Sequence, residues 1–167
     1  MLKVYRVLDG LDFSFRILIF VILTVMVAST FMQVLGRYIF VVPLPWTEEL
    51  SRRMMTWLLF IASAIGYRRG GMVGVDIITS RVSEKNKKIL DIIVFALIAF
   101  FGLFMVHHGY DLASRMYRQQ SAALGISMFY VYIVIPVSGF LFIIFSLEHI
   151  IKRITGYEKK EQEETAC

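Results

Sequence analysis

The most informative stretch of the sequence is PLPWTEELSRRMMTWLLF, residues 43–60. Two prolines and a tryptophan precede two glutamates and two arginines, and an apolar run follows them. Glu48 and Glu49 each stand four residues before an arginine, Arg52 or Arg53, so a helix would align them as two ion pairs. The stretch therefore predicts a helix whose first two turns are charged and whose remainder is apolar.

The apolar residues of the whole chain collect in long blocks. Of the 167 residues 57% are hydrophobic and the mean hydropathy is +0.67, whereas a soluble domain is about 45–50% apolar. A spanning helix needs roughly 20 mainly apolar residues. We therefore predict an all-α integral membrane protein whose membrane domain, residues 1–156, has four transmembrane helices at about 16–36, 47–67, 88–107 and 128–151. The charged tail, residues 157–167, is predicted to be disordered and cytoplasmic.

The basic residues indicate the orientation in the membrane. Thirteen of the 18 Lys and Arg fall in segments on the same side as the N-terminus, and five fall on the opposite side. Because cytoplasmic loops carry an excess of Lys and Arg, we expect the N-terminus and the C-terminus to be cytoplasmic. The net charge of +5 then indicates contact with anionic membrane lipids rather than with nucleic acid.

The second predicted helix is short for a bilayer. Its charge-free part, Met54 to Tyr67, spans about 21 Å, against a hydrocarbon core of roughly 30 Å. Either a partner protein covers the preceding charges, or they form self-neutralised pairs in the headgroup layer. Thr47 is predicted to cap this helix. The candidate contacts with a partner or with lipids are Trp46, Glu48, Glu49, Arg52, Arg53 and Trp57.

A basic segment, YRRGGMVGVDIITSRVSEKNKK at residues 67–88, follows the second helix. Gly70 and Gly71 are expected to end that helix. The apolar residues between 75 and 82 then fit one side of a short interfacial amphipathic helix, and an irregular basic loop is the alternative. The polar candidates of this cytoplasmic interfacial segment are Arg68, Arg69, Asp76 and Arg81. The third helix is expected to continue beyond the opposite membrane surface.

The sequence offers no arrangement typical of an enzyme or a cofactor site. His107 and His108 are adjacent, so on a helix their side chains diverge by about 100°. His149 is predicted near the opposite membrane face, which does not fit the facing histidines of a haem bundle. No P-loop, dinucleotide-binding motif or nucleophile elbow is present. We therefore expect no catalytic residue, no metal and no cofactor.

The acidic residues of the later helices lie away from the middle of the membrane. Asp91 and Glu148 each have a lysine four residues away, Lys87 and Lys152, and are expected to form local ion pairs. A self-contained small transporter would need a titratable group deep in the membrane, and none is apparent. A glycine on each of the last two helices, Gly102 and Gly139, marks a place where helix backbones can approach closely.

Residues 45–82, PWTEELSRRMMTWLLFIASAIGYRRGGMVGVDIITSRV, resemble the small membrane subunits of tripartite ATP-independent periplasmic (TRAP) transporters, the DctQ and SiaQ family. The matching features are the Trp-Thr-Glu-Glu entry at 46–49, the tryptophan at 57, the Gly66 to Arg69 segment and Asp76. The length, the four-helix plan and the inferred orientation resemble that family over the whole chain.

The resemblance implies a non-catalytic scaffold subunit in the bacterial inner membrane. Its implied partners are a large membrane subunit, which would move the substrate by sodium symport, and a periplasmic substrate-binding protein. Implied substrates are organic acids such as C4-dicarboxylates or sialic acid, and we favour sialic acid weakly. The alternative function is an autonomous small four-helix transporter or channel, and a haem-bearing membrane oxidoreductase is a third hypothesis.

Overall fold

The computed structural model describes residues 2–69 and 84–155 of the chain. The described residues form four helices of 22 or more residues, with a four-residue helix before the last of them. In chain order the α-helices are α1 (Leu2–Tyr38), α2 (Pro45–Arg68), α3 (Glu84–Arg115), α4 (Phe129–Tyr132) and α5 (Val134–Thr155). A single 3₁₀ turn, Met116–Arg118, extends α3.

The predicted all-α fold is confirmed for the described residues. Three stretches are long and apolar enough to cross a membrane, namely Leu8–Tyr38, Ile89–Arg118 and Phe129–Lys152. α2 is not among them, although its 24 residues reach about 36 Å, because its charged first turns lower its hydropathy. The count of four spans and the cytoplasmic termini therefore remain predictions.

The first two helices begin earlier than predicted. α1 already starts at Leu2 and has 37 residues, so its apolar part continues a polar helical segment. α2 starts at Pro45, and the prediction that Thr47 caps it is wrong. Proline has no N–H and is preorganised for the first helical position. The Thr47 hydroxyl instead donates a hydrogen bond to the Leu44 carbonyl at 2.7 Å.

The helices lie side by side in the order α1, α2, α5, α3. Among the described residues the Cα atoms of these four helices approach within 8 Å only between neighbours in this row. The core of the row joins α2 to α5 and contains Ile61, Ile65, Val134 and Phe145. The two outer helices, α1 and α3, consequently leave most of their apolar surface exposed.

The backbones of α3 and α5 approach closely at the two predicted glycines. A Cβ atom on Gly102 would lie 2.8 Å from the Gly139 carbonyl oxygen, and a Cβ on Gly139 would lie 2.8 Å from that of Gly102. This confirms the predicted close approach. The helical continuation of α3 to Arg115 and its 3₁₀ turn to Arg118 are also as expected.

Several predictions fall outside the described residues. They include the release of the chain at Gly70 and Gly71, the short interfacial helix with Asp76 and Arg81, and the tail at 157–167.

Candidate functional site: two charged clusters at the ends of α2

The outer cluster consists of Glu48, Glu49, Arg52 and Arg53 in the first turns of α2. Both predicted ion pairs are present: Arg52 Nη2 lies 2.8 Å from Glu48 Oε1, and Arg53 Nη2 lies 2.7 Å from Glu49 Oε1. Their environments differ, because the side chains of Glu48 and Arg52 are 60% and 66% exposed whereas those of Glu49 and Arg53 are 13% and 21% exposed. One pair therefore faces outward and the other faces the protein.

The inward-facing pair holds the segment that joins α3 to α4. The Ala123 N–H donates a hydrogen bond of 2.8 Å to Glu49 Oε2, the oxygen that does not bind Arg53. About two turns beyond Glu49, the Trp57 indole donates to the Tyr130 carbonyl oxygen of α4 at 3.1 Å. Glu49 thus fixes the α3–α4 connection against α2, and Trp57 fixes α4.

An apolar groove of about 340 Å³ opens beside these contacts. Its walls come from α1, α2 and the α3–α4 connection, and include Leu18, Ile22, Met54, Trp57 and Leu124. Arg53 also lines it, and its buried Nε has no hydrogen-bond partner among the described residues. The groove would accept apolar side chains or acyl chains.

Hydroxyl groups join α1 to α2 near the same end. The Ser51 hydroxyl lies 3.0 Å from that of Ser29 and 3.2 Å from that of Thr30. These contacts place the second half of α1 beside the first turns of α2, as expected for antiparallel neighbours.

The inner cluster lies at the other end of α2 and is centred on Arg68. The Arg68 guanidinium donates two hydrogen bonds to Glu148 of α5, Nε to Oε2 at 2.8 Å and Nη2 to Oε1 at 3.2 Å. Its Nη2 also donates to Asp9 of α1 at 2.8 Å. Arg68 and Glu148 are both nearly buried. One arginine therefore connects three helices, with the bidentate geometry that favours Arg–carboxylate pairs.

Other charges extend the inner cluster around Arg68. Asp12 of α1 is buried, and its Oδ2 lies 3.0 Å from both Arg16 and Arg69. Lys152 lies 3.2 Å from Glu148, which confirms the predicted local pair. Burial alone would lower the pKa of Arg68, but hydrogen bonds with Glu148 and Asp9 hold that pKa above its ordinary value. The guanidinium therefore stays charged in this setting.

Aromatic side chains lie directly against the inner cluster. The Arg68 guanidinium carbon is 5.5 Å from the centre of the Phe145 ring. The buried Tyr67 hydroxyl lies 2.9 Å from that of Ser146, and the Tyr67 ring contacts His149 at 5.3 Å between centroids. These contacts shield the ion pairs from water on one side, which strengthens them.

Sequence reasoning found the outer pairs but missed the inner connections. It placed Arg68 and Arg69 in an interfacial segment and gave Glu148 only its lysine partner. It predicted no contact for Asp9 and Asp12, although two acids three residues apart lie on one face of a helix and indicate a site for a basic partner. The predicted pair between Asp91 and Lys87 stays a prediction, because the Lys87 side chain lies outside the described residues.

The structure also places the histidines. The rings of His107 and His108 are 5.0 Å apart, and His108 packs on Phe104 at 4.2 Å. Across the parts of the chain that are described, no three His, Cys, Asp or Glu side chains come together as metal ligands would.

The sequence matches a known family over most of its length. Residues 26–156 match the model described as "Tripartite ATP-independent periplasmic transporters, DctQ component". A relative named as a TRAP transporter small permease protein of Haemophilus influenzae is 26% identical over 145 residues, which cover 85% of this chain and 88% of that protein.

Two further relatives differ in length and in named substrate. The C4-dicarboxylate TRAP transporter small permease protein DctQ of Pseudomonas aeruginosa is 27% identical over 115 residues, 65% of this chain and 54% of that protein. The sialic acid TRAP transporter permease protein SiaT of Haemophilus influenzae is 27% identical over 110 residues, 65% of this chain and 18% of that protein. The match thus spans about half of the first of these and less than a fifth of the second.

Proposed function

The chain belongs to the DctQ component family of TRAP transporters, and we propose that it is the non-catalytic scaffold subunit of such a transporter. In this role it binds a large membrane subunit in the bacterial inner membrane and works with a periplasmic substrate-binding protein. The large subunit carries out sodium symport of an organic acid. Sialic acid and C4-dicarboxylates are both candidates, since relatives named for each are equally identical to this chain, at 27%.

The positions of the acidic residues carry the non-catalytic part of the proposal. In the described helices every acid lies near a helix end, and the middles of the long apolar stretches contain none. A coupled transporter needs a titratable or ion-binding group at the membrane centre. Described helices whose middles carry no acid fit the role of a scaffold whose partner holds the transport site.

We propose further that α2 is the fourth span and that both chain ends lie in the cytoplasm. The ion pairs of the inner cluster bring the end of α2 to the start of α1 and to the second half of α5. α2 therefore runs antiparallel to α1 and parallel to α5, which is the arrangement that four alternating crossings require. The ion pairs within the outer cluster reduce the cost of placing its charges near the membrane.

The outward-facing pair is our proposed contact with the large subunit. Among the described residues the side chains of Glu48 and Arg52 bond only each other. Glu49, which pairs with Arg53, also binds the α3–α4 connection, and Trp57 binds α4. Trp46, at the start of α2, is partly exposed and precedes Glu48 by two residues. Arg53 and Trp57 contribute indirectly, because they line the apolar groove beside the outer cluster.

The test is co-purification of the large subunit with charge-reversed variants of this chain. Glu48→Lys should lower recovery of the large subunit several-fold. Asp111→Lys is the matched control, since it breaks an exposed ion pair with Arg115 in α3 and should leave recovery unchanged.

The double variant Glu48→Lys/Arg52→Glu separates the two explanations of any loss. It restores an ion pair within α2 but reverses both charges towards the partner, so recovery should stay low. Recovery that returns in the double variant would show that the pair only stabilises its own helix, and would overturn the proposed contact.

A further inference from the structure

The end of α1 and the loop that follows it present consecutive apolar side chains to the outside. Residues 38–42, YIFVV, are all exposed, and Val41 is the most exposed of them at 81%. Singly exposed apolar residues are common in proteins, but a continuous patch of this kind marks a surface that contacts something other than water.

Backbone hydrogen bonds hold this loop in place. The Ile39 N–H donates to the Leu35 carbonyl and the Val42 N–H donates to the Gly36 carbonyl, both at 2.9 Å. The chain packs closely at Gly36, where an added Cβ would lie 2.8 Å from Leu44 Cδ1. The apolar patch is therefore a fixed feature of the fold.

Val41 adopts a strained backbone conformation with φ of 53°. Positive φ is rare for a β-branched residue and costs on the order of 1–3 kcal/mol. The backbone hydrogen bonds of the turn, among them Val42 N–H to the Gly36 carbonyl, hold this conformation. They keep the Val41 side chain exposed, so it remains available for a contact outside the chain.

The charges around the loop indicate what the apolar surface of residues 38–42 contacts. No charged residue lies between Arg37 and Glu48. Arg37 is exposed, forms no ion pair with any other described residue, and lines a hollow of about 430 Å³ together with Val41 and Glu48. Tyr38, the last residue of α1, precedes the loop and Trp46 follows it, and these two residue types are enriched at the membrane–water boundary.

We propose that residues 38–42 insert into the interface of the membrane leaflet at the outer end of α2, with Arg37 level with the lipid phosphates. The exposed apolar surface of α1 leads directly into the loop through Phe31 and Val34. The loop would then anchor the start of α2 at the headgroup layer. This anchoring compensates for the short apolar part of α2 and requires only that α1 crosses the membrane.

The test uses the full chain with the single native cysteine removed by Cys167→Ser. Val41→Cys is labelled with an environment-sensitive fluorophore, and the protein is placed in vesicles of phosphatidylethanolamine and phosphatidylglycerol. Iodide is present on both sides, so the orientation of the chain does not matter. The matched control is Gln120→Cys, at an exposed position in the α3–α4 connection.

A label at position 41 should emit at shorter wavelength than one at 120, be quenched by brominated lipids, and show a several-fold smaller iodide quenching constant. Equal iodide quenching at both positions would overturn the proposal. Protection at position 41 that appears only after a large subunit or a binding protein is added would also overturn it, because the occupant would then be a protein.

Discussion

A charged cluster lies at each end of α2, but the two clusters are built differently. At the outer end each glutamate bonds an arginine four residues later on the same helix, and one pair is open to its surroundings. At the inner end Arg68, which is itself nearly buried, joins α2 to the buried Glu148 of α5 and to the exposed Asp9 of α1. The outer cluster is therefore mainly a surface, while the inner cluster fixes the arrangement of the helices.

The largest effect is expected when the centre of the inner cluster is removed. Arg68→Ala leaves the buried Glu148 with only Lys152, and breaking a buried ion pair in this way costs about 3–5 kcal/mol. The free energy of unfolding in detergent should fall by that amount. Arg52→Ala is the control and should cost about 1 kcal/mol or less, because exposed pairs contribute little. Equal losses in the two variants would remove the distinction between the clusters.

A double-mutant cycle sharpens this prediction. Glu148→Ala should cost much less in the Arg68→Ala background than in the native chain, because the two side chains interact directly. Additive losses would mean that the pair contributes no coupling energy.

The next effect concerns the inward-facing half of the outer cluster. Glu49→Ala removes the acceptor of the Ala123 N–H and the partner of Arg53, so the α3–α4 connection should open more readily. Hydrogen exchange at the Ala123 amide should become faster, since this bond holds the α3–α4 connection. Glu48→Ala should leave that exchange rate unchanged, and an equal acceleration in both variants would contradict the separate roles of the two pairs.

A smaller effect is expected at Trp57. Trp57→Phe keeps an aromatic ring at this position but removes the hydrogen bond to the Tyr130 carbonyl, which contributes about 0.5–1.5 kcal/mol. Denaturant unfolding should show a loss in that range. Trp46→Phe is a suitable comparison because Trp46 is itself partly exposed. We expect the Trp46→Phe variant to lose less stability than the Trp57→Phe variant.

The smallest effect on stability is expected for the exposed pair. Glu48→Gln should change the free energy of unfolding by about 0–1 kcal/mol, and high salt should reduce even that difference. Unfolding curves at low and high salt provide the measurement. A loss as large as that of Arg68→Ala would show that the pair is structurally essential.

Features that depend on local spacing or on composition could be predicted from the sequence. The all-α fold followed from the apolar blocks, and the outer ion pairs followed from the four-residue spacing of Glu48 and Arg52. Gly102 and Gly139 were identified because a missing side chain permits close approach in any packing of the helices. The prediction that Thr47 caps α2 failed because Pro45, which is preorganised for the first helical position, begins the helix two residues earlier.

The inner cluster depended on information that one helix does not contain. Arg68 meets Asp9, 59 positions earlier, and Glu148, 80 positions later. The four-residue spacing of Glu148 and Lys152 already gave Glu148 a predicted partner, so the sequence did not indicate its bidentate contact with Arg68 on another helix. Pairing across helices requires the order of the helices in the row, and this order was not readable from their apolar patterns.

The most direct test of the scaffold function is sodium-dependent uptake of sialic acid and of a C4-dicarboxylate into proteoliposomes. This chain is tested alone, the large subunit is tested alone, and both are tested together with the substrate-binding protein. We expect uptake of one of these acids only when all three components are present. Uptake by this chain alone would contradict it, because a transport site would then exist in a subunit whose helix middles carry no acidic residue.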